Sequence, residues 1–301
     1  MEAVLTTKLT VQLGWQFLLI RNFHQNDVPS LVELENRLRQ EQGNTSSATE
    51  RSLREYLGQP NLRVDENSFL YLVEGKPIGF ALLCIEPPLK RSVLELKIHP
   101  DYVEQNVERV LIKTALQKAT DLDAKVLHFQ TRQNPFLENL LTAEGFSPVR
   151  LYWIMQWIPD NVPSVIIPDG FSLRSYQGIE DAKNLMFIQN SSFDGTWGFS
   201  PNTVEEIIYR TEMSITSPEG IIFLCDGKTI AGYCWTFILE RSSSKIGVIS
   251  MIGIDPAYRH QRLGRPLLQA GLKYLHCRGV SHVELEVDSQ NVPAVGLYKW
   301  M

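Results

Sequence analysis

The amino-acid sequence predicts a mixed α/β protein built from two tandem copies of one unit. Four segments of the first half recur in the same order in the second half, at offsets of roughly 152 to 157 residues, as one tandem duplication would produce. In each copy, short apolar runs typical of strands alternate with amphipathic patterns typical of helices. The length of 301 residues also fits two domains of about 150 residues each.

Each copy begins with a strand, a turn and an amphipathic helix, and a hairpin follows. Residues 17–36 (FLLIRNFHQNDVPSLVELEN) correspond to residues 171–190 (FSLRSYQGIEDAKNLMFIQN). The hairpins are residues 71–83 (YLVEGKPIGFALL) and residues 223–235 (FLCDGKTIAGYCW). In both hairpins an acidic residue, a Gly and a Lys form the turn between two apolar strands.

The second half of each copy consists of a strand, a loop, a helix, another strand and a last helix. The first of these strands ends in residues 94–102 (LELKIHPDY) and residues 249–258 (ISMIGIDPAY). The last helix lies in residues 134–146 (NPFLENLLTAEGF) and residues 291–301 (NVPAVGLYKWM). The run VISMIGI is apolar nearly throughout, so we expect this strand to be central and covered on both faces.

The repeat predicts a first domain over residues 1–158, a Pro- and Asp-rich linker over residues 159–170, and a second domain over residues 171–301. In the first copy the last helix continues into an apolar run, VRLYWIMQWI, that has no equivalent in the second copy. The second domain therefore lacks its closing strand or strands. Either the sequence stops short of the end of the copy, or the last strands of the first copy complete the second sheet.

Composition and charge exclude several classes of protein. The net charge of −5 and the isoelectric point of about 5.8 argue against a general nucleic-acid-binding surface. The apolar run Leu9–Ile20 is too short to span a bilayer, and no signal-peptide pattern follows Met1, so we expect a cytoplasmic protein without a membrane partner. The cysteines show no metal-ligand spacing, which favours buried, reduced thiols; they are Cys84, Cys225, Cys234 and Cys277.

One loop of the second copy concentrates positive charge in an otherwise acidic protein. It follows Asp255-Pro256, and its basic and flexible residues are Arg259, His260, Arg262, Gly264 and Arg265. A loop between a buried strand and a helix N-terminus leaves backbone N–H groups pointing at one place, where the helix dipole favours an anion. The pattern predicts a phosphate or pyrophosphate site, and a solvated helix cap is the alternative. It is neither a Walker loop nor a GxGxxG motif.

Two motifs of the second copy carry a family resemblance. The segment IDPAYRHQRLGRPLL resembles the acetyl-CoA pyrophosphate loop of the GCN5-related N-acetyltransferases (GNAT), [QR]-x-x-G-x-[GA], at Gln261, Gly264 and Pro266. The segment DSQNVPAVGLYKWM resembles the later N-x-x-A-x-x-L-Y segment of that family at Asn291, Ala294, Leu297 and Tyr298. The resemblance runs from about residue 171 to the end, and a tandem pair is similar to the two-domain members of the family. Pro266 departs from the usual Gly or Ala.

The resemblance implies two tandem GNAT-like acyl-CoA N-acyltransferase domains, with acetyl-CoA as co-substrate, an amine as acceptor and no metal. In family members the loop takes the pyrophosphate, and the preceding strand pairs through its backbone with the pantetheine arm. The cofactor-binding residues implied here are Ile252, Gly253, Ile254, Arg259, His260, Gln261, Arg262, Leu263, Gly264, Arg265 and Asn291. A helix cap is the structural alternative for the Asn.

The first copy lacks the features of this loop. Its counterpart, HPDYVEQNVERVL from His99, contains no glycine, and only Arg109 is basic. Glu104 and Glu108 would repel a pyrophosphate. We therefore interpret the first copy as a degenerate domain that supports the fold, shapes the acceptor pocket or mediates contacts.

The chemistry of acyl transfer to an amine requires a base and benefits from an acid. The attacking amine must be neutral, because an alkylammonium is almost wholly protonated at neutral pH. Glu240 and Glu284 are the candidate bases, directly or through water, together with Glu286. For each of them taken singly, a solvated carboxylate of a strand or turn is the favoured interpretation. The resemblance implies that Tyr298 donates a proton to the leaving thiolate. A half-buried helix residue is the alternative for this tyrosine.

The acceptor site is less legible. The segment FDGTWGFSPNTVEEI lies between the first helices of the second copy, where such folds recognise the acceptor, and it offers Asp194 and Trp197. A surface loop with an inserted Trp explains it equally well. The sequence predicts an N-acetyltransferase whose second domain transfers an acetyl group to a small-molecule or peptide amine. A non-catalytic CoA-binding or interaction protein is the alternative, while a peptidoglycan-type aminoacyl transferase is disfavoured by the intact loop.

Overall fold

A computed structural model describes residues 9–13, 16–44, 46–158, 161–241 and 244–300. The chain divides into two compact units, Met1–Ser147 and Pro148–Met301, each built around one six-stranded mixed sheet. The predicted α/β class and the tandem repeat are thereby confirmed. Part of the predicted linker, Pro159 and Asp160, lies outside the described residues.

The first unit has its strands in the spatial order β1-β2-β3-β4-β5-β6, in which only β5 and β6 run parallel. These strands are β1 (Leu9–Leu13), β2 (Gln16–Asn22), β3 (Ser68–Val73), β4 (Lys76–Glu86), β5 (Arg91–Ile98) and β6 (Val126–Phe129). The helices of this unit are α1 (Val28–Glu41), α2 (Glu50–Leu57), α3 (Val64–Asn67), α4 (Val107–Asp121) and α5 (Pro135–Ala143).

The second unit has its strands in the order β7-β12-β11-β10-β9-β8, in which only β11 and β12 run parallel. These strands are β7 (Tyr152–Trp157), β8 (Phe171–Ser175), β9 (Ile221–Asp226), β10 (Thr229–Arg241), β11 (Ser244–Ile254) and β12 (His282–Asp288). The helices are α6 (Ala182–Phe193), α7 (Val204–Glu212), α8 (Gly264–Cys277) and α9 (Val292–Lys299).

The second sheet is closed by a strand that the repeat assigns to the first copy. Strand β7 pairs antiparallel with β12, from Tyr152 opposite Asp288 to Trp157 opposite Val283. The division between the units therefore lies between Ser147 and Pro148, ahead of the boundary predicted at residue 158. Of the two explanations for the missing closing strand, the structure shows the second for β7: a segment next to the first copy completes the second sheet.

The sheet of the second unit is covered on both faces, as the apolar strand pattern predicts. Helix α8 packs one face through leucines spaced along the helix, among them Leu268, Leu272 and Leu275. Helices α6 and α7 cover the other face, where Tyr233 and Phe223 are fully buried. Gly271 allows α8 to lie close to the sheet, because a Cβ there would be 2.6 Å from the Cys234 sulfur.

The cysteines only partly match the prediction of buried thiols. All four are free, and Cys225 and Cys234 are buried in the second unit. Cys84 is half-buried and Cys277 is exposed, so burial fails for these two. The exposed cysteine lies at the last position of α8.

Strand β7 should contribute strongly to the stability of the second unit. We expect a protein of residues 159–301 to unfold at lower urea concentration than one of residues 148–301, with a loss of at least about 2 kcal/mol, because it leaves β12 as an unpaired edge and removes the packing of Trp157. Equal unfolding midpoints for the two proteins would show that β7 is dispensable.

Candidate active site

The candidate site lies where the two parallel strands of the second unit part. Strands β11 and β12 pair only from Ile246–Ile249 with His282–Leu285. Beyond that point β11 continues to Ile254 and β12 to Asp288 without pairing to each other. At the point of parting the register of β11 against β10 shifts, so that Ser250 forms a bulge. We call the space between residues 250–254 and 286–288 the wedge.

The backbone after the wedge forms a concavity at the loop that the sequence predicts to bind an anion. The chain turns through a 3-10 helix, Pro256–Tyr258, in which the N–H of Ala257 donates to the carboxylate of Asp255 at 2.9 Å. His260 and Arg262 have left-handed φ angles of 65° and 59°, and Leu263 returns to the right-handed helical region. Alternation of this kind turns successive N–H groups toward one point, next to the unpaired N–H groups of the first turn of α8.

Gly264 and α9 bring the second motif to this concavity. A Cβ on Gly264 would lie 3.1 Å from a methyl of Leu297, so the absence of a side chain lets α9 pack against the start of α8. The carboxamide of Asn291 accepts the N–H of Ala294 at 3.2 Å and caps α9. The structural alternative for Asn291 is thus observed, and its assignment as a cofactor contact stays a prediction.

The arginines of the loop have different surroundings. Arg259 points away from the concavity and donates to the carbonyl oxygen of Ser192 at 2.9 Å, near the end of α6. Arg265 stacks over the ring of Trp300 at 4.2 Å. Arg262 is exposed at the concavity itself. Of the three, Arg262 is the best placed to face a bound anion.

Tyr298 lies among the apolar side chains on the α8 face of the sheet. It packs in the cluster that contains Ile252, Ile254 and Leu263, which are the residues beside the wedge and the loop. Burial, together with the proximity of Cys234, raises the pKa of Tyr298 well above its ordinary value. The phenol therefore keeps its proton at neutral pH, as a proton donor must.

The predicted carboxylates are not brought together. Glu240 lies opposite Lys245 near the hairpin end of β10 and β11, at the far end of β11 from the wedge. Glu284 lies in the paired part of β12, where His282 at 3.2 Å and Gln156 at 3.0 Å contact it. Glu286 is exposed on the same face of β12 and lies beside the wedge. Placement favours Glu286 over the other two.

The loop predicted to bind the acceptor contacts Arg150, a residue that the repeat assigns to the first copy. Asp194 is exposed at the end of α6, and Trp197 is half-buried. The guanidinium of Arg150, just before β7, lies over the ring of Trp197 at 5.0 Å. Sequence reasoning missed Arg150 because the repeat places it in the first copy; only the unmatched run VRLYWIMQWI pointed to this segment.

The corresponding loop of the first unit has left-handed residues at the same positions, and it carries a glutamate side chain. Glu104 and Asn106 have left-handed φ angles of 65° and 71°, as the equivalent residues of the second unit do. Glu108, at the position of Gly264, is buried, and its carboxylate accepts the N–H of Glu104 at 3.0 Å. The sequence predicts that this residue repels a pyrophosphate, and the structure adds that its carboxylate occupies one backbone N–H of the loop.

The described residues contain neither a candidate transmembrane helix nor a candidate metal-binding cluster. No helix in the described part of the chain combines the length and apolarity needed to cross a bilayer. Within the same residues, no group of three His, Cys, Asp or Glu side chains is arranged to hold a metal ion.

The fold and the motifs match one family of acetyltransferases. Residues 183–301 match the Acetyltransferase (GNAT) family. A mycothiol acetyltransferase of Pseudarthrobacter chlorophenolicus is 30% identical over 226 residues, which are 73% of this chain and 69% of the relative. The chain therefore belongs to the GNAT family, and it is an acetyltransferase with two tandem GNAT domains.

Other relatives agree with this assignment. A mycothiol acetyltransferase of Segniliparus rotundus is 26% identical over 75% of this chain and 86% of its own length. Among solved structures, a tandem GNAT protein from the clavulanic acid biosynthesis pathway superposes with a TM-score of 0.69 at 18% identity, covering 94% of this chain and 93% of the neighbour. A GCN5-related N-acetyltransferase from Sphaerobacter thermophilus gives 0.67 at 19% identity, covering 91% and 87%. At these identities the structural likeness concerns the fold.

Gly253 should be required for the approach of α6 to the wedge. A Cβ there would lie 2.6 Å from the Cβ of Ser192 and 3.0 Å from the ring of Tyr233. We expect Gly253→Ala to lower the free energy of unfolding by about 1–3 kcal/mol, measured by urea denaturation. As a control, Gly296→Ala, in a helix with no atom within 4 Å, should be neutral or stabilising by about 0.5–1 kcal/mol. A Gly253→Ala protein as stable as the wild type would contradict this packing.

Proposed function

We propose that the second unit transfers an acetyl group from acetyl-CoA to a primary amine by direct attack within a ternary complex. The observation that carries the proposal is the combination of an open wedge, an anion-binding concavity and a protonated Tyr298 in one unit. The relatives named mycothiol acetyltransferases make a small-molecule amine of the mycothiol type the first acceptor to test, and a peptide amine the second.

The residues around the loop fit the parts of acetyl-CoA. The pyrophosphate would be held by the N–H groups of residues 260–265 and by Arg262, because backbone donors and the helix dipole favour an anion there. Gly264 lets the backbone approach the phosphates closely. The unpaired edge of β11, residues 252–254, offers backbone donors and acceptors to the amide-bearing arm of the co-substrate.

The proton balance of the reaction assigns roles to two side chains. The amine nitrogen forms a bond to the acyl carbon while the carbon–sulfur bond breaks, so one proton leaves nitrogen and one reaches sulfur. Glu286, beside the wedge on the α6 face, would receive the amine proton through water. Tyr298, on the α8 face, would donate the proton to sulfur. One group would thus act at the amine nitrogen and the other at the sulfur of the leaving group.

The first unit supports this assignment by contrast. In its loop, Glu108 stands at the position of Gly264 and accepts the N–H of Glu104 at 3.0 Å. On the face that α1 covers, the ammonium of Lys97 lies 2.7 Å from Glu35 and 3.1 Å from Glu95. Burial alone would lower the pKa of Lys97, but the attraction of Glu95 and Glu35 outweighs it and raises that pKa. This unit shows that the fold persists with charged side chains, Glu108 and Lys97, at these two positions. A non-catalytic CoA-binding protein is therefore the second candidate function.

Acetyl-CoA binding should depend on the loop of the second unit. We expect acetyl-CoA at a hundredfold excess over its Kd to stabilise the wild-type chain by about 2.7 kcal/mol, seen as a rise in Tm, and calorimetry to give one molecule per chain. Gly264→Glu should abolish both effects, because it places a carboxylate where the first unit has Glu108. Gly296→Glu, the same substitution in open space on α9, is the control and should bind normally. Absence of a shift in the wild type would reject both functions.

Tyr298 should contribute to turnover and not to co-substrate binding. We expect Tyr298→Phe to lower kcat by about a hundredfold, the typical value of a positioned acid, while the Kd of acetyl-CoA stays the same. Because the pKa of Tyr298 is raised, the proton is retained throughout the neutral and mildly alkaline range, so wild-type kcat should show no loss attributable to this residue up to about pH 10. An alkaline loss below pH 10 that is absent in Tyr298→Phe would contradict the raised pKa.

A further inference from the structure

A guanidinium next to the wedge joins three segments of the second unit. Arg150 lies just before β7, with its side chain 21% exposed. It donates to the carboxamide oxygen of Gln290, and its Nη1 lies 3.6 Å from the carboxylate of Asp288. The same guanidinium lies over the ring of Trp197 at 5.0 Å. One side chain thus contacts the approach to β7, the turn after β12 and the loop after α6.

The turn that Arg150 contacts leads directly into the second motif. Asp288 accepts the N–H of Gln290 at 2.9 Å, and its carbonyl oxygen accepts the N–H of Asn291 at 2.9 Å. The N–H of Ser289 donates to the carbonyl oxygen of Leu151 at 2.9 Å. The turn 288–291 is therefore held from the side of β7, and α9 with Tyr298 begins where the turn ends.

The contact with Trp197 concerns the opposite, amine-receiving side. Trp197 belongs to the loop between α6 and α7, on the face of the sheet that also bears Glu286. The described contacts give this loop few internal backbone bonds, such as Thr196 N–H to Phe193 O at 2.9 Å. A cation over an indole ring, with its charge partly compensated by a carboxylate, is a directional contact that fixes the ring.

We propose that Arg150 is a positioning residue of the acceptor site, which holds the Trp197 loop against the turn 288–291. The proposal rests on the proposed function, because it assigns the loop 194–203 to the acceptor. Arg150 acts through Trp197 and through the turn. Its loss should weaken acceptor binding, and it should leave acetyl-CoA binding unchanged, because the loop 260–265 lies at the N-terminus of α8 on the other face.

The first arm of the test does not depend on activity. In the unliganded chain, Arg150→Met should speed amide hydrogen exchange about tenfold in residues 194–203 and 288–291, with the melting temperature of the unit little changed. Arg150→Lys keeps the cation over the ring but not the fork, so it should recover part of the protection in residues 194–203. The control is Lys183→Met, which removes an exposed cation from the ring of Phe187 on α6; it should leave exchange in both segments unchanged.

The second arm is kinetic. With an accepted amine, Arg150→Met should raise the acceptor KM about tenfold and change kcat by less than about threefold, while the Kd of acetyl-CoA is unchanged. Unchanged exchange in residues 194–203, or a fall in kcat with an unchanged acceptor KM, would overturn the proposal. A wild-type chain that binds no acetyl-CoA would instead reject the proposed function, and the exchange arm would still decide whether Arg150 holds the loop.

Discussion

The parting of two parallel strands is the constraint on which the site depends. Strands β11 and β12 stop pairing after Leu285, so the backbone polar groups of residues 250–254 that face β12 have no strand partner there. Unpaired backbone groups are costly unless water or a ligand satisfies them. The bulge at Ser250 makes the separation possible, because it bends β11 away without breaking its pairing with β10. The anion-binding loop, the tyrosine and the carboxylate of β12 are arranged around that opening.

Comparison of the two units shows which features of the loop and the strands belong to the shared fold. In both units the parallel pairing stops before the longer strand ends, and both loops contain left-handed residues, so this backbone is a property of the fold. In the first unit Glu108 accepts an N–H of the loop, and Lys97 pairs with Glu35. In the second unit Gly264 and Gly253 stand at the matching positions, where Leu297 and Ser192 pack closely against them. The backbone is therefore common to both units, while the side chains at these two positions differ.

The closing strand of the second unit shows how a duplicated sequence can give two unequal sheets. The sheet of the first unit has an extra strand, β1, at the edge beside β2, and the sheet of the second has β7 at the edge beside β12. As a consequence, β7 supplies Gln156 to Glu284, and Arg150, two residues before the strand, places its guanidinium over the ring of Trp197. The segment that joins the two copies in sequence therefore lies beside the candidate site of the second unit.

The sequence by itself determined the α/β class, the repeat and the acetyltransferase family, and it predicted the position of the anion loop, because each depends on local patterns: hydrophobic periodicity, turn residues and a short motif before a helix. It could not determine that residues 152–157 pair with β12, since strand pairing is a contact between segments far apart in the chain. For the same reason the sequence could not show that Glu286, and not Glu240, lies beside the wedge. Nor could it show that Arg259 donates to the carbonyl oxygen of Ser192. Only the tertiary structure decided which of these charges lie at the wedge, because the distance between side chains is set by the register of strands and by the packing of helices on them.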